Sequence, residues 1–253
     1  MARGSFFAGI ISSSILGAAL IAGLAATGYA ADAPKLTLSG SATMTTDYMF
    51  RSVTDTSQNP AVQPEFDLTY GIFWAYIWGS NTSFGEGIEI DYGAGISPKW
   101  KDITFTVGYL EYTYPGANED NDYGELKTGG VWAKGPWSIG LNNYWSPNWF
   151  ALDITSDALE GSVGYTFPSW KLWNFFTPTI SAQLGNQWFE NQDVQPDYLY
   201  WNAGLTLAFL SHWSADIRYY DTDLGKGPTE CVLLTTLRDG CDARAVGTIK
   251  VTF

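Results

Sequence analysis

The sequence predicts an all-β protein: an antiparallel transmembrane β-barrel of about twelve strands, preceded by a cleaved signal peptide. Three observations predict it. The chain ends Gly247-Thr248-Ile249-Lys250-Val251-Thr252-Phe253, with apolar side chains at 249, 251 and 253 and polar ones between them. That period of two makes one face greasy and the other wet. Outer-membrane barrels commonly close on such a strand, its aromatic at the membrane interface. Further stretches of roughly ten residues alternate in the same way along the chain, and the connectors between them alternate between long and short.

The N-terminus carries export signals. Arg3 supplies a short positive region, Phe6 to Ala26 is apolar and rich in small residues, and Gly28-Tyr29-Ala30 offers small residues where a signal peptidase reads. Cleavage is expected between Ala30 and Ala31, which divides the chain into a signal peptide, residues 1–30, and a barrel, residues 31–253. A retained membrane helix is the alternative, since the run is about long enough to span. No positive stop-transfer cluster follows it, which favours removal. No second run of about 18 apolar residues follows, so a helical membrane protein is excluded.

The strands follow in order. Leu36, Leu38, Gly40, Ala42 and Met44 alternate with Thr37, Ser39, Ser41, Thr43 and Thr45. Ile88 to Ile96, Ile103 to Tyr109, Leu159 to Phe167, Leu199 to Phe209 and Trp213 to Tyr219 alternate as cleanly. Weaker segments at 62–70, 72–80, 123–133, 136–146, 176–187 and 243–253 complete twelve. Ten or fourteen strands satisfy the same pattern, because boundaries drawn from sequence shift by roughly 2–4 residues. The long connectors are 52–61, 82–87, 113–122, 147–157, 188–197 and 222–242. The short ones are Tyr70-Gly71, Pro98 to Lys101, Lys134-Gly135-Pro136, Pro168 to Trp173 and Leu210 to His212. Outer-membrane barrels pair tight periplasmic turns with longer outer loops. The expected location is therefore the outer membrane of a Gram-negative bacterium, with both termini periplasmic.

Alternation alone does not say which face points in, since a soluble barrel fills its core with the apolar face. The export signal and Phe253 favour the inverse arrangement, with lipid outside and polar residues in the lumen. The lumen set is then eight acids, Asp47, Glu65, Asp67, Glu89, Asp91, Glu125, Glu160 and Asp216, and four bases, Arg51, Lys127, Arg218 and Lys250. Charges in a low-dielectric setting must be paired or hydrated. Two readings stay open: an ion-pair network that plugs the barrel, or a narrow water-filled pore whose acidic excess favours cations. Tyrosine and tryptophan cluster near strand ends: Trp74, Tyr76 and Trp78; Trp132 and Trp137; Tyr144, Trp145 and Trp149; Trp170 and Trp173; Tyr198, Tyr200 and Trp201. Interfacial girdles account for most of them.

Several of these segments resemble a known family. They are Asp47-Tyr48-Met49-Phe50-Arg51 ending the first strand, Gln63-Pro64, Trp78-Gly79-Ser80-Asn81, and Glu89-Ile90-Asp91 with Gly95. Gly108-Tyr109, Tyr112-Thr113-Tyr114-Pro115-Gly116 and Tyr144-Trp145-Ser146-Pro147-Asn148 continue the series. Their order and spacing resemble the TorF porin family of small proteobacterial exported barrels, also called Gcw_chp. The resemblance runs from about Leu36 to the C-terminus. It implies an outer-membrane barrel with a channel role and brings no catalytic residues and no substrate. Two departures stand out: Ser52 follows Arg51 where the family pattern has glycine, and the loop with both cysteines is an addition.

The chemistry that remains is sparse. Cys231 and Cys241 lack the Cys-x-x-Cys spacing of a redox pair, and in an exported chain a disulfide within one loop is expected. His212, the single histidine, sits in a tight turn, and no Gly-x-Ser-x-Gly elbow accompanies it. No enzyme is expected: no catalytic residues, no metal site and no cofactor-binding motif appear. With 26 acids against 13 bases, nucleic acid is an unsuitable partner. The partners expected are outer-membrane lipid and lipopolysaccharide, the barrel assembly machinery acting on the strand that ends at Phe253, and small solutes or ions.

Overall fold

The structure, a computed structural model, describes residues 34–84, 87–117, 121–167, 175–224, 230–235 and 237–253. The expected signal peptide lies outside the described residues, as do Trp170, Trp173 and the turn from Pro168 to Trp173. Twelve long strands follow one another: β1 Leu36–Thr45, β2 Ala61–Tyr70, β3 Phe73–Asn81, β4 Ile88–Ile96, β5 Ile103–Thr113, β6 Tyr123–Lys134, β7 Trp137–Ser146, β8 Ser156–Thr166, β9 Phe176–Phe189, β10 Tyr198–Phe209, β11 Trp213–Thr222 and β12 Arg244–Thr252. Each pairs antiparallel with its sequence neighbours, and β12 pairs with β1, so the sheet closes into a barrel.

The seam runs in register from Ser41 opposite Thr252 to Thr45 opposite Thr248. Beyond it, Gly40 and Phe253 exchange two backbone hydrogen bonds, each 2.9 Å long. Gly40 is the residue that permits this close: a Cβ there would stand 2.6 Å from the Phe253 ring. That ring meets Phe66 of β2 edge-on at 6.5 Å, so one aromatic spans three strands.

Period-two patterning decides the two surfaces. Leu38 (71 %), Ile217 (61 %) and Met44 (60 %) are exposed on the outside, a degree of exposure that water would penalise across so broad a band. Aromatics ring the band where the tight turns lie: Trp137 against Tyr165 at 4.7 Å and Phe176 against Phe209 at 5.7 Å. At the long-loop rim, Tyr109 and Tyr219 donate their hydroxyls to Glu111 (2.7 Å) and Asp221 (2.9 Å). The two tightest turns use Gly71 (φ 63°) and Gly135 (φ 58°), a left-handed conformation that costs glycine nothing.

The aromatic residues divide by strand parity, and this corrects the girdle expectation. Trp132, Trp137, Trp145 and Trp201 alternate with the buried positions of their strands and face outward. Trp74, Tyr76, Trp78, Tyr144, Trp149, Tyr198 and Tyr200 are packed inside instead. For all but Trp149, which lies in a connection, the strand neighbours two residues away are lumen residues, and parity outranks proximity to a strand end.

Inward-facing glycines make room for these rings. Gly95 of β4 lies opposite Gly108 of β5, and Trp74 lies over both: a Cβ on Gly108 would be 2.3 Å from the Trp74 ring and 2.8 Å from the Ala94 carbonyl oxygen. Gly108→Val is expected to overpack this site and destabilise the barrel by about 1–3 kcal/mol. Adding Trp74→Ala should recover part of the loss. The heat-modified shift of the folded band on a gel measures both.

Candidate functional site: a hairpin folded into the barrel

The connection from β1 to β2 does not lie over the rim. After Thr45 the chain turns inward, and Met49–Phe50 pairs with Val53–Thr54 in a two-residue-turn hairpin. Asp47 and Arg51, read from the sequence as the end of the first strand, are therefore on this hairpin and not on β1. The reason is local. Asp47 Oδ1 accepts from the Thr54 (2.6 Å) and Thr56 (2.9 Å) hydroxyls, and its Oδ2 pairs with Arg244 of β12 at 3.0 Å. One carboxylate thus closes the hairpin's base and pins it to the seam.

The turn residues are Arg51 (φ 46°) and Ser52 (φ 64°). Positive φ at both central positions is the primed-turn geometry that suits a hairpin's twist. A non-glycine residue costs about 1–2 kcal/mol there, and Ser52 is where the resemblance leads glycine to be expected. The tip is held by contacts across the barrel. Arg51 donates to both oxygens of Glu125 on β6 (2.7 and 2.9 Å) and to Gln187 Oε1 on β9 (2.5 Å). Ser52 Oγ donates to the Trp201 carbonyl of β10 at 3.0 Å. The Arg51 guanidinium also lies 4.7 Å from the Phe50 ring, 5.2 Å from Tyr144 and 5.3 Å from Trp149. Bidentate geometry and aromatic faces suit arginine in a way lysine does not match.

An aromatic layer packs around the tip. Tyr112 stacks on Tyr123 at 4.6 Å and gives its hydroxyl to Glu125 at 2.9 Å. Trp149, in the single turn Trp149–Ala151 of the connection after β7, stacks on Phe50 and meets Phe189 of β9 edge-on. Phe150 covers Tyr114 and Tyr123 from above. Nearby, Tyr200 donates to Glu160 (2.8 Å), and the Lys127 ammonium sits 5.3 Å from the Tyr144 ring.

The last long connection clasps the hairpin from the seam side. Cys231 and Cys241 form the disulfide expected from the sequence. Both are buried in the same apolar cluster as Val53 of the hairpin. Thr54 N–H donates to the Gly240 carbonyl at 3.1 Å, and Thr222 Oγ1 to that of Cys241 at 3.0 Å.

The other half of the lumen, towards the tight turns, is different in kind. Small hydroxyl side chains and glycines line it, with Ser41, Ser138, Gly140, Ser162 and Gly164 at inward positions. Glu65 and Lys250 pair at 3.4 Å and keep part of their surface exposed. Arg218 donates to Asn202 and Ser181, each at 2.8 Å, and meets Asp216 at 3.3 Å, while Asp216 also accepts from Thr206 at 2.6 Å. All twelve charged residues picked out from the sequence thus lie inside: Asp47 and Arg51 on the hairpin, the other ten on the wall.

On the hairpin's remaining side, Tyr48 stands 5.3 Å from the Trp78 ring, and its hydroxyl faces Glu89 at 3.5 Å. Tyr114 faces the same Glu89 oxygen at 3.4 Å. Asp55, just past the hairpin, has its carboxyl pushed well above the usual carboxylate range by burial, then by Glu89 and Asp47. His212 is exposed in its turn. Among the described residues no cluster of histidine, cysteine and carboxylate side chains is placed to hold a metal. Acidic loop residues do a structural job: Asp122, Asp197 and Asp223 each accept a backbone N–H at 2.7–2.8 Å, from Tyr114, Phe189 and Leu199.

Residues 29–253 match the family described as "Bacterial protein of unknown function (Gcw_chp)". The chain belongs to that family. Among curated proteins none matches. Among solved structures this Gcw_chp barrel is similar to a KdgM porin at 10 % identity, with a TM-score of 0.56 over 85 % of this chain and 99 % of that one. It is equally similar to a KdgM porin in complex with disordered oligogalacturonate, at 11 % identity and a TM-score of 0.55 over 85 % and 98 %. A NanC porin also matches, at 11 % identity and a TM-score of 0.48 over 85 % and 98 %. The fold is that of an outer-membrane porin-type barrel.

Sequence reasoning did not place Gln187, Tyr112, Tyr200 or Trp149 in the lumen. Parity within β5, β9 and β10 points the first three inward, and that signal was available; nothing in the sequence places Trp149. Arg51→Ala is expected to unseat the hairpin tip at a cost of about 3–5 kcal/mol, because Glu125 is left buried and unpaired. Arg51→Ala with Glu125→Gln should cost less than the two changes summed. Limited proteolysis between Tyr48 and Gln58 reads the unseating.

Proposed function

We propose that this chain is a passive channel in the outer membrane of a Gram-negative bacterium, narrow, admitting small hydrophilic solutes and leaning towards cations. This is the role that the TorF label implies. The observation that carries it is the lining of the turn-side half: small hydroxyl side chains and the partly exposed Glu65–Lys250 pair inside a barrel whose outside is apolar. Such a lining suits water and leaves space that large side chains would fill. The hairpin then forms the constriction. Acids outnumber bases eight to four in the lumen set, an excess that attracts cations and repels an acidic sugar such as the oligogalacturonate in the KdgM complex.

The remaining assignments follow from this role. Residues 1–30 are removed on export, both termini face the periplasm, and the disulfide loop faces outward. Lipid and lipopolysaccharide contact the apolar band, and the assembly machinery engages β12 through Phe253. No catalysis is assigned to the barrel. A second reading is supported by the depth of burial at the tip, where Glu125, Lys127 and Arg51 are almost fully enclosed: a non-transporting barrel plugged by ion pairs, serving structure or surface binding.

Planar-bilayer recording of the refolded protein separates the two. Discrete conductance steps are expected, with a reversal potential of cationic sign in a salt gradient. Absence of steps, in both the parent and Arg51→Ala, leaves the plugged barrel as the answer. An anionic reversal potential removes the cation preference alone.

A further inference from the structure

The hairpin rests on two unlike walls. On one, Arg51 is matched by Glu125 and Gln187. On the other, Asp55 faces Glu89 of β4, and Asp91 lies beside Glu89 on the same face of that strand. Glu89 and Asp91 are 1 % and 0 % exposed. No donor side chain or backbone group reaches either Asp91 carboxyl oxygen or Glu89 Oε2, and the hydrogen bond open to them is a shared proton between Glu89 and Asp91. Among the described residues no base pairs with Asp55, Glu89 or Asp91, because Arg51 is held by Glu125 and Arg244 by Asp47. The other groups that face the trio are Tyr48, Tyr76 and Tyr114, with Asp47 on the hairpin and Glu125 across the lumen. All of these are neutral or acidic.

Two fully enclosed carboxyls, with a third, partly buried one facing them, cannot all be ionised. An isolated buried carboxylate costs far more than its neutral form, and like charges at close range add to that cost. The hairpin is also the movable partner. Its turn is strained at Arg51 and Ser52, and strain of this kind collects at switching segments. We propose that the hairpin is a proton-operated gate, seated while Asp55, Glu89 and Asp91 hold protons and lifted from β4 when they ionise. Asp55, which lies off the wall, binds its proton more tightly in the seated state than in the lifted one. The seated state's advantage is therefore complete at low pH and is lost as pH rises. Arg51 keeps its charge throughout, and its hold on Glu125 and that of Ser52 on the Trp201 carbonyl are released when the hairpin lifts. The inference deepens the channel reading, and its test has an arm that needs no conduction.

Ser52→Cys places a thiol at the hairpin tip, which is 2 % exposed when seated. The full chain, refolded in phospholipid vesicles with its disulfide intact, is treated with a membrane-impermeant maleimide from about pH 5 to about pH 9, where buried carboxyls titrate. Rates are divided by those of the unfolded protein to remove the thiol's own pH dependence. The expected result is a rise of about tenfold or more, equivalent to a tenfold shift in the seated-to-lifted ratio. Adding Asp55→Asn, Glu89→Gln and Asp91→Asn together should abolish the rise. Asp55→Asn alone lies off the barrel wall, should reduce it, and serves if the triple variant does not fold. A flat profile in the parent, or an unchanged rise in the variants, overturns the gate. Labelling that switches while bilayers stay silent at every pH keeps the gate and removes the channel.

Discussion

Everything here depends on closing the ring of backbone hydrogen bonds. In a surround that offers no water, each N–H and C=O must find a partner within the sheet. A sheet with two free edges fails that demand and a closed one meets it. The seam between β1 and β12 is the last of the twelve pairings, and the Gly40–Phe253 exchange extends it to the end of the chain. Once the ring is closed, period two does the rest: one set of side chains faces out, and the other meets itself across the lumen.

That inner meeting is uneven along the barrel axis. Near the tight turns many side chains are short, and of the charged pairs there Glu65–Lys250 stays partly exposed while Asp216–Arg218 is enclosed. Near the long loops the barrel is filled by a piece of its own chain. The hairpin tip carries the hydrogen bonds that join the β1–β2 connection to the opposite wall, from Arg51 at sequence separations of 74 and 136 residues and from Ser52 at 149. The guanidinium is desolvated but not isolated, since a bidentate carboxylate, an amide oxygen and three rings surround it. Replacing that geometry with a point charge would leave most of these contacts unmet.

Much of the barrel was legible in the sequence because one rule, alternation, repeats through it. Leu36 to Thr45 and Ile88 to Ile96 could be bounded within a residue, and the connectors could be sorted by length. The inward placement of the ten charged residues on the wall followed from the same parity, and that of Asp47 and Arg51 did not. The hairpin was not legible. Asp47 to Arg51 continue a strand-like mixture of polar and apolar residues, and only distant partners on β6, β9, β10 and β12 turn that segment inward. The glycine missing at 52 was a visible departure, but its meaning required knowing that the position has positive φ. The aromatic residues were misjudged for a different reason. Proximity to strand ends was weighed above parity, and Trp74, Tyr76 and Trp78 share the inward parity of their strand.

The clasp between the disulfide loop and the hairpin makes two distant parts of the chain mechanically one body. Gly240 holds Thr54 by a single backbone bond, and Cys231 and Cys241 share an apolar cluster with Val53. A pull on the loop therefore does not stop at the rim; it is transmitted through Thr54 to the strained turn at Arg51. Whatever takes hold of this loop from solution also has its hand on the interior of the barrel.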